Sequence, residues 1–171
     1  MTETAEPAAG AEGQVTALYQ AHATGLVRLA MLMLGGDQGA AEDVVQDAFL
    51  GLYRRWAALR DPDRAVAYAR SSVLNGCRDV LRRRSRKIPA ALLEPDAESA
   101  EARALLGEEH REVLAALRRL PDRQREAVVL RHCLDLKEAE VAEAMNVSRG
   151  TVKSSSHRGL AALARILKED Q

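Results

Sequence analysis

Apolar residues recur every three or four positions from Val15 to Leu34, with Leu18, Leu26, Leu29 and Met33 among them. That period predicts an amphipathic helix, ended by Gly35, Gly36 and Asp37. A second helix is predicted from Asp37 to about Trp56, because Val44, Val45, Ala48, Phe49, Leu52 and Tyr53 share one face. Arg60, Asp61, Pro62 and Asp63 read as a loop, since proline cannot continue a helix and restricts the residue before it. A third helix follows over about Arg64 to Arg84. At 100° per residue Val66, Ala69, Val73, Cys77, Val80 and Leu81 gather on one side of it. Ser71, Asn75, Arg78, Arg82 and Arg86 gather on the other, so one face packs and the other is basic.

The pattern fails in two places. Residues 1–13 are Ala, Glu, Gly and Pro-rich without apolar periodicity and are expected to be a disordered tail. Residues 87–108 hold two prolines and five acids and read as a flexible acidic linker, with at most a short helix near 97–106. Beyond it Val113, Leu114, Leu117 and Leu120 predict an amphipathic helix stopped by Pro121, and another starts at Asp122 with Ala127, Val128 and Leu130 inside. Asp135 with Glu138 three residues on suggests a capped helix whose inner face is Ala139, Val141, Ala142 and Met145. Asn146, which tolerates a left-handed backbone, breaks it, and Ser148 can cap a final helix from Arg149 to about Lys168. The fold class is all-α: two small helical domains, residues 14–86 and 109–171, the second containing a helix-turn-helix. Composition agrees, with 47% apolar residues but only one Phe, one Trp and three Tyr.

Charge changes the picture more than composition does. The formal net charge is zero, yet residues 1–53 carry one Arg against seven acids and residues 54–87 carry eleven bases against three. Residues 88–112 return to two bases against seven acids, and residues 118–168 carry eleven bases against six. Two basic segments separated by an acidic one point to two surfaces for a polyanion. The start of the chain lacks the basic and apolar regions of a secretory leader and no stretch is long and apolar enough for a membrane span, so a cytoplasmic protein with no membrane insertion is expected.

In a helix-turn-helix the N-terminal residues of the second helix reach the bases of the major groove. Here Arg149 and Lys153 can bond guanine edges or phosphates, and Thr151 can meet a thymine methyl. Ser148, Ser154, Ser155, His157 and Arg158 suit polar and phosphate contacts, while Val152 should point inward. A solvated face on a helical bundle is the plainer alternative. On the third helix Asn75 and the arginines can grip a strand, or the Arg run can simply favour the helix C-terminus. Tyr53, Trp56 and Tyr68 can stack on unpaired bases or fill the core. Cys77 and Cys133 are too isolated for a disulfide framework or zinc site, and the scattered histidines form no catalytic constellation. Neither a cofactor nor an enzymatic activity is expected.

Several stretches resemble one family, the two-domain extracytoplasmic-function (ECF) sigma factors of the sigma-70 family. Residues 41–56, AEDVVQDAFLGLYRRW, resemble the segment that binds the β′ clamp coiled coil of core RNA polymerase, which implies docking by Asp43, Gln46, Asp47 and Phe49. Residues 68–84, YARSSVLNGCRDVLRRR, are similar to the helix that recognises and melts the −10 element. That implies roles there for Arg64, Asn75, Arg78, Asp79, Arg82 and Arg83, with residues 57–64 as the loop that captures a flipped base. LRRLPDRQREAVVLRH and EAEVAEAMNVSRGTVKSSSHRGLAAL resemble the −35-binding domain. The implied partners are core polymerase, including its β flap, promoter DNA and an anti-sigma factor; the actinobacterial SigE-like group is the subgroup resembled. Three positions depart from the family pattern: Asn146 replaces a turn glycine, Lys137 stands at a Ser or Thr cap, and Ser155 stands where Arg is common. From the residues alone a stand-alone helix-turn-helix regulator remains open.

Overall fold

The computed structural model describes residues 6–87 and 108–170. The first domain has three helices: α1 (Glu6–Met33), α2 (Gln38–Arg55) and α3 (Ala65–Lys87), with short 3₁₀ turns at Trp56–Ala58 and Pro62–Arg64 between the last two. The second has α4 (Glu108–Arg118), α5 (Asp122–Val128), α6 (Glu138–Met145) and α7 (Arg149–Glu169). Among the described residues every regular element is helical, as the apolar period predicts.

Local chemistry explains the boundaries. Gly35 and Gly36 take φ of 71° and 88°, and Gly36 N–H bonds to Met31 O at 2.8 Å, which closes α1 without strain. Asp37 then caps α2, its Oδ1 accepting from Ala40 N–H at 3.0 Å. Asp61 closes the next turn by accepting from Asp63 N–H at 3.0 Å. The tail expected over residues 1–13 is corrected in part, because α1 starts at Glu6 and residues 6–13 are helical. Their Ala and Glu content supplies helix propensity in the absence of a periodic apolar face. The linker expected at 87–108 also narrows, since Lys87 ends α3 and Glu108 opens α4; the rest of it, with its short helix near 97–106, lies outside the described residues.

The predicted cap at Asp135 is overturned. Helix α5 widens into a π turn at Val129–Cys133, with Leu134 N–H on Val129 O five residues back at 3.0 Å. Asp135 follows with φ 53° and turns the chain so that Leu136 N–H reaches Leu130 O. It therefore ends before α6 begins. Lys137 is the N-cap residue, and since an ammonium cannot accept, the capping contact runs one way, from Lys137 N–H to Glu140 Oε2 at 2.8 Å. In this register Val141, Ala142, Ala144 and Met145 point inward and Ala139 is exposed, contrary to its predicted place in the core.

The two domains are packed together. Helix α3 lies against α6, and α1 against α4 and the π turn. Their buried side chains form one apolar cluster, from Leu29, Met33, Leu52 and Leu74 in the first domain to Leu117, Leu130 and Met145 in the second. The turn at Gly35 and Gly36 is part of this contact: a Cβ on Gly35 would lie 2.8 Å from Arg118 Cδ.

Candidate nucleic-acid and polymerase interfaces

The C-terminal site is built from a tight turn. Asn146 adopts φ 54°, ψ 50°, which lets Val147 N–H return to Ala142 O at 3.0 Å. Ser148 caps α7, its Oγ accepting from Thr151 N–H at 3.1 Å, and the two hydroxyls lie 2.9 Å apart. Val152 is buried, as predicted, and Gly159 sits so close to α5 that an added Cβ would lie 2.6 Å from Val128 Cγ2. Ser156 is also buried, with His132 Nε2 2.9 Å from its hydroxyl. These contacts fix the roll of α7. Ser148, Arg149, Thr151, Lys153, Ser154, His157 and Arg158 are consequently exposed, and Ser155 is half-buried at the edge. Arg149, Lys153 and His157 are spaced by four residues and make one stripe along the helix.

The basic face of α3 is arranged differently. Asn75, Arg82 and Arg83 are exposed, and Arg82 pairs with Asp79. Arg78 is taken by the second domain: Nε donates to Glu126 Oε1 and Nη2 to Glu126 Oε2, both at 2.7 Å. Its remaining nitrogen, Nη1, donates to Asn75 Oδ1 at 2.9 Å. Hydrogen bonding to Glu126 raises the pKa of Arg78 further above its ordinary value. Arg64, the last residue of the 57–64 loop, pairs with Glu143 of α6. Sequence reasoning missed both carboxylates. Glu126 is only 1% exposed, and the available clue was a charged Arg125–Glu126 pair running straight into the apolar stretch Ala127–Leu130. Arg125 is also buried and donates to Leu117 O at 3.0 Å, Leu120 O at 3.2 Å and, across the domain junction, Met33 O at 3.2 Å. Arg84 likewise serves the fold, donating to Asp37 and to Leu34 O.

On α2, Asp43, Gln46 and Asp47 are exposed, whereas Phe49 is buried with its ring edge-on to Tyr19, centroids 5.0 Å apart. The apolar surface around it comes from Tyr19, Leu50 and Tyr53, which are 40%, 51% and 42% exposed. Trp56 and Tyr68 are half-buried against the core. Burial pushes the Cys77 thiol up to about 12, with Glu126 adding to the effect, and Cys133 is also raised by burial. Among the described residues no group of three His, Cys, Asp or Glu side chains could hold a metal, and no helix is long and apolar enough to cross a membrane.

Both domains match known proteins. Residues 18–87 match the family Sigma-70 region 2 and residues 110–163 match Sigma-70, region 4. The RNA polymerase sigma-E factor of Streptomyces antibioticus is 35% identical over 134 residues, spanning 75% of this chain and 71% of that protein. The ECF RNA polymerase sigma factor SigM of Mycobacterium tuberculosis is 36% identical over 150 residues, 88% of this chain and 75% of the relative. Among solved structures, CnrH in complex with the cytosolic domain of CnrY superposes with a TM-score of 0.71 at 26% identity, covering 96% of both chains. The chain belongs to the ECF sigma factors of the sigma-70 family. A stand-alone helix-turn-helix regulator does not account for the match to region 2.

Proposed function

We propose a division of labour within this sigma factor that follows its three surfaces. Residues 14–86 form the polymerase and −10 unit, and residues 109–171 the −35 unit. The exposed acids Asp43 and Asp47 with Gln46 dock on the β′ clamp coiled coil, over an apolar floor that buried Phe49 supports from beneath. The β flap is the contact for the second domain. Arg64, Asn75, Arg78, Asp79, Arg82 and Arg83 serve the −10 element, with residues 57–64 as the pocket for a flipped base. Unstacking that base costs a few kcal/mol, which contacts to the captured base offset, so melting requires no nucleotide hydrolysis. Helix α7 enters the major groove at −35, with Arg149, Lys153 and Thr151 nearest the bases and Ser148, Ser154, Ser155, His157 and Arg158 toward the backbone.

The observation that carries the reading is the roll of α7. Burial of Val152, Ser156 and Gly159 turns Ser148, Arg149, Thr151, Lys153, Ser154, His157 and Arg158 outward, in a chain that also holds a basic helix behind an acidic one. The protein acts in the cytoplasm as a specificity subunit without chemistry of its own. An anti-sigma factor is a further partner, supported by the complex in which the structural neighbour CnrH was captured with the cytosolic domain of CnrY. Transcription in vitro with core polymerase and a genomic promoter library is the test. New transcript starts that require this protein, and a stoichiometric complex with core, are expected; absence of both would sink the proposal.

A further inference from the structure

Resting on the reading of α3 as the −10 surface, we propose that in the free chain the second domain shields that surface by placing the carboxylates of Glu126 and Glu143 on Arg78 and Arg64. The two domains are thereby mutually exclusive with single-stranded DNA on α3, and the carboxylates hold the positions that promoter phosphates or base edges would take.

Three features carry this inference. A carboxylate as buried as that of Glu126 is tolerated only when its charge is met, and it is met by the paired nitrogens of Arg78 at 2.7 Å, with Arg123 at 3.7 Å as a weaker second partner. The fork-on-carboxylate geometry is that with which an arginine binds a phosphate. The second pair, Arg64–Glu143, is a single contact between two exposed side chains at the end of the 57–64 loop, and both pairs join residues of opposite domains far apart in sequence. Finally, the closure is held by more than charge: Arg125 donates to Met33 O, and Leu114 and Arg118 cover the Gly35–Gly36 turn. The stripe of Arg149, Lys153 and His157 on α7 stays exposed throughout. Closure therefore occupies Arg78 and Arg64 of the −10 unit, leaves its Asn75, Arg82 and Arg83 exposed, and leaves the −35 stripe free.

The test compares the full-length chain with a Glu126→Gln/Glu143→Gln variant by small-angle scattering and by anisotropy of a fluorescein-labelled single-stranded thymidine 20-mer. The variant is expected to expand and to bind the probe roughly tenfold more tightly, a gain that Arg78→Ala cancels. If Glu126→Gln does not fold, Glu143→Gln alone, at a half-exposed position, should shift both readouts in the same direction. Unchanged dimensions and unchanged binding in the folded variants would overturn the proposal, as would expansion without tighter binding. In that second case core polymerase distinguishes the causes. Promoter opening that still depends on Asn75 leaves the −10 reading standing and removes only the shielding, whereas opening indifferent to Asn75 removes both.

Discussion

Cys77 lies at the centre of α3, fully buried, with a thiol pushed up to about 12 mainly by loss of hydration. In the unfolded chain a thiol titrates near 8.5, so the folded state holds its proton more tightly. The sign follows: stability from this group is complete below about pH 8.5 and is lost as pH rises toward 12. Between pH 8 and 10.5 the loss should be about 2.5 kcal/mol more in the wild type than in Cys77→Ala, read from urea midpoints. Equal alkaline slopes would show that the thiol is ionised or hydrated in the fold. Gly159 offers a second residue-level test. Alanine is the better helix former, yet a Cβ there would meet Val128 Cγ2 at 2.6 Å and the backbone oxygen of Gln124 at 3.0 Å. The backbone cannot yield as a side chain can, so Gly159→Ala should destabilise by about 1–3 kcal/mol in thermal unfolding, against the helix propensity scale.

The turn between α6 and α7 shows what a single element contributes. Asn146 holds a φ of 54°, which is accessible to asparagine at modest cost and to alanine at a larger one. Asn146→Gly should be neutral or slightly stabilising, and Asn146→Ala destabilising by about 1 kcal/mol. Ser148→Ala should cost a similar amount, about 1 kcal/mol, by removing the cap on Thr151 N–H. Chemical denaturation of the three variants checks the order, and Asn146→Ala as stable as Asn146→Gly would contradict the left-handed assignment. This turn and its cap were legible in the sequence because the relevant chemistry is local: a left-handed residue, a serine, and Val152 pointing back. The start of α6 was not, because Asp135 looks like a cap until the π turn ahead of it is known, and a π turn has no composition of its own. The start of α1 was missed for a related reason, since residues 6–13 are helical without an apolar stripe.

At the scale of the molecule, the charge blocks were legible and their pairing was not. Two basic segments can be counted along the chain, but Arg78–Glu126 and Arg64–Glu143 join positions 48 and 79 residues apart, which no local pattern encodes. The packing brings carboxylates of one domain to the cations of the other, and so gives the two basic faces unequal freedom. The α7 stripe is exposed in the folded chain, while Arg78 is held by Glu126. Substitutions on the two faces should then act on separate steps of initiation. On the proposed reading of α7 as the −35 helix, Lys153→Ala removes one cation from the stripe that meets the duplex, so it should weaken closed-complex formation and reduce the slope of log affinity against log salt by about 1. Asn75→Ala leaves that stripe intact and removes the contact proposed for the opened strand, so it should slow open-complex formation with little change in the salt slope. Permanganate footprinting separates melting from binding in the same reaction. Equal effects of both substitutions on both steps would mean that the domains act on the promoter as one surface, as they pack in the free chain.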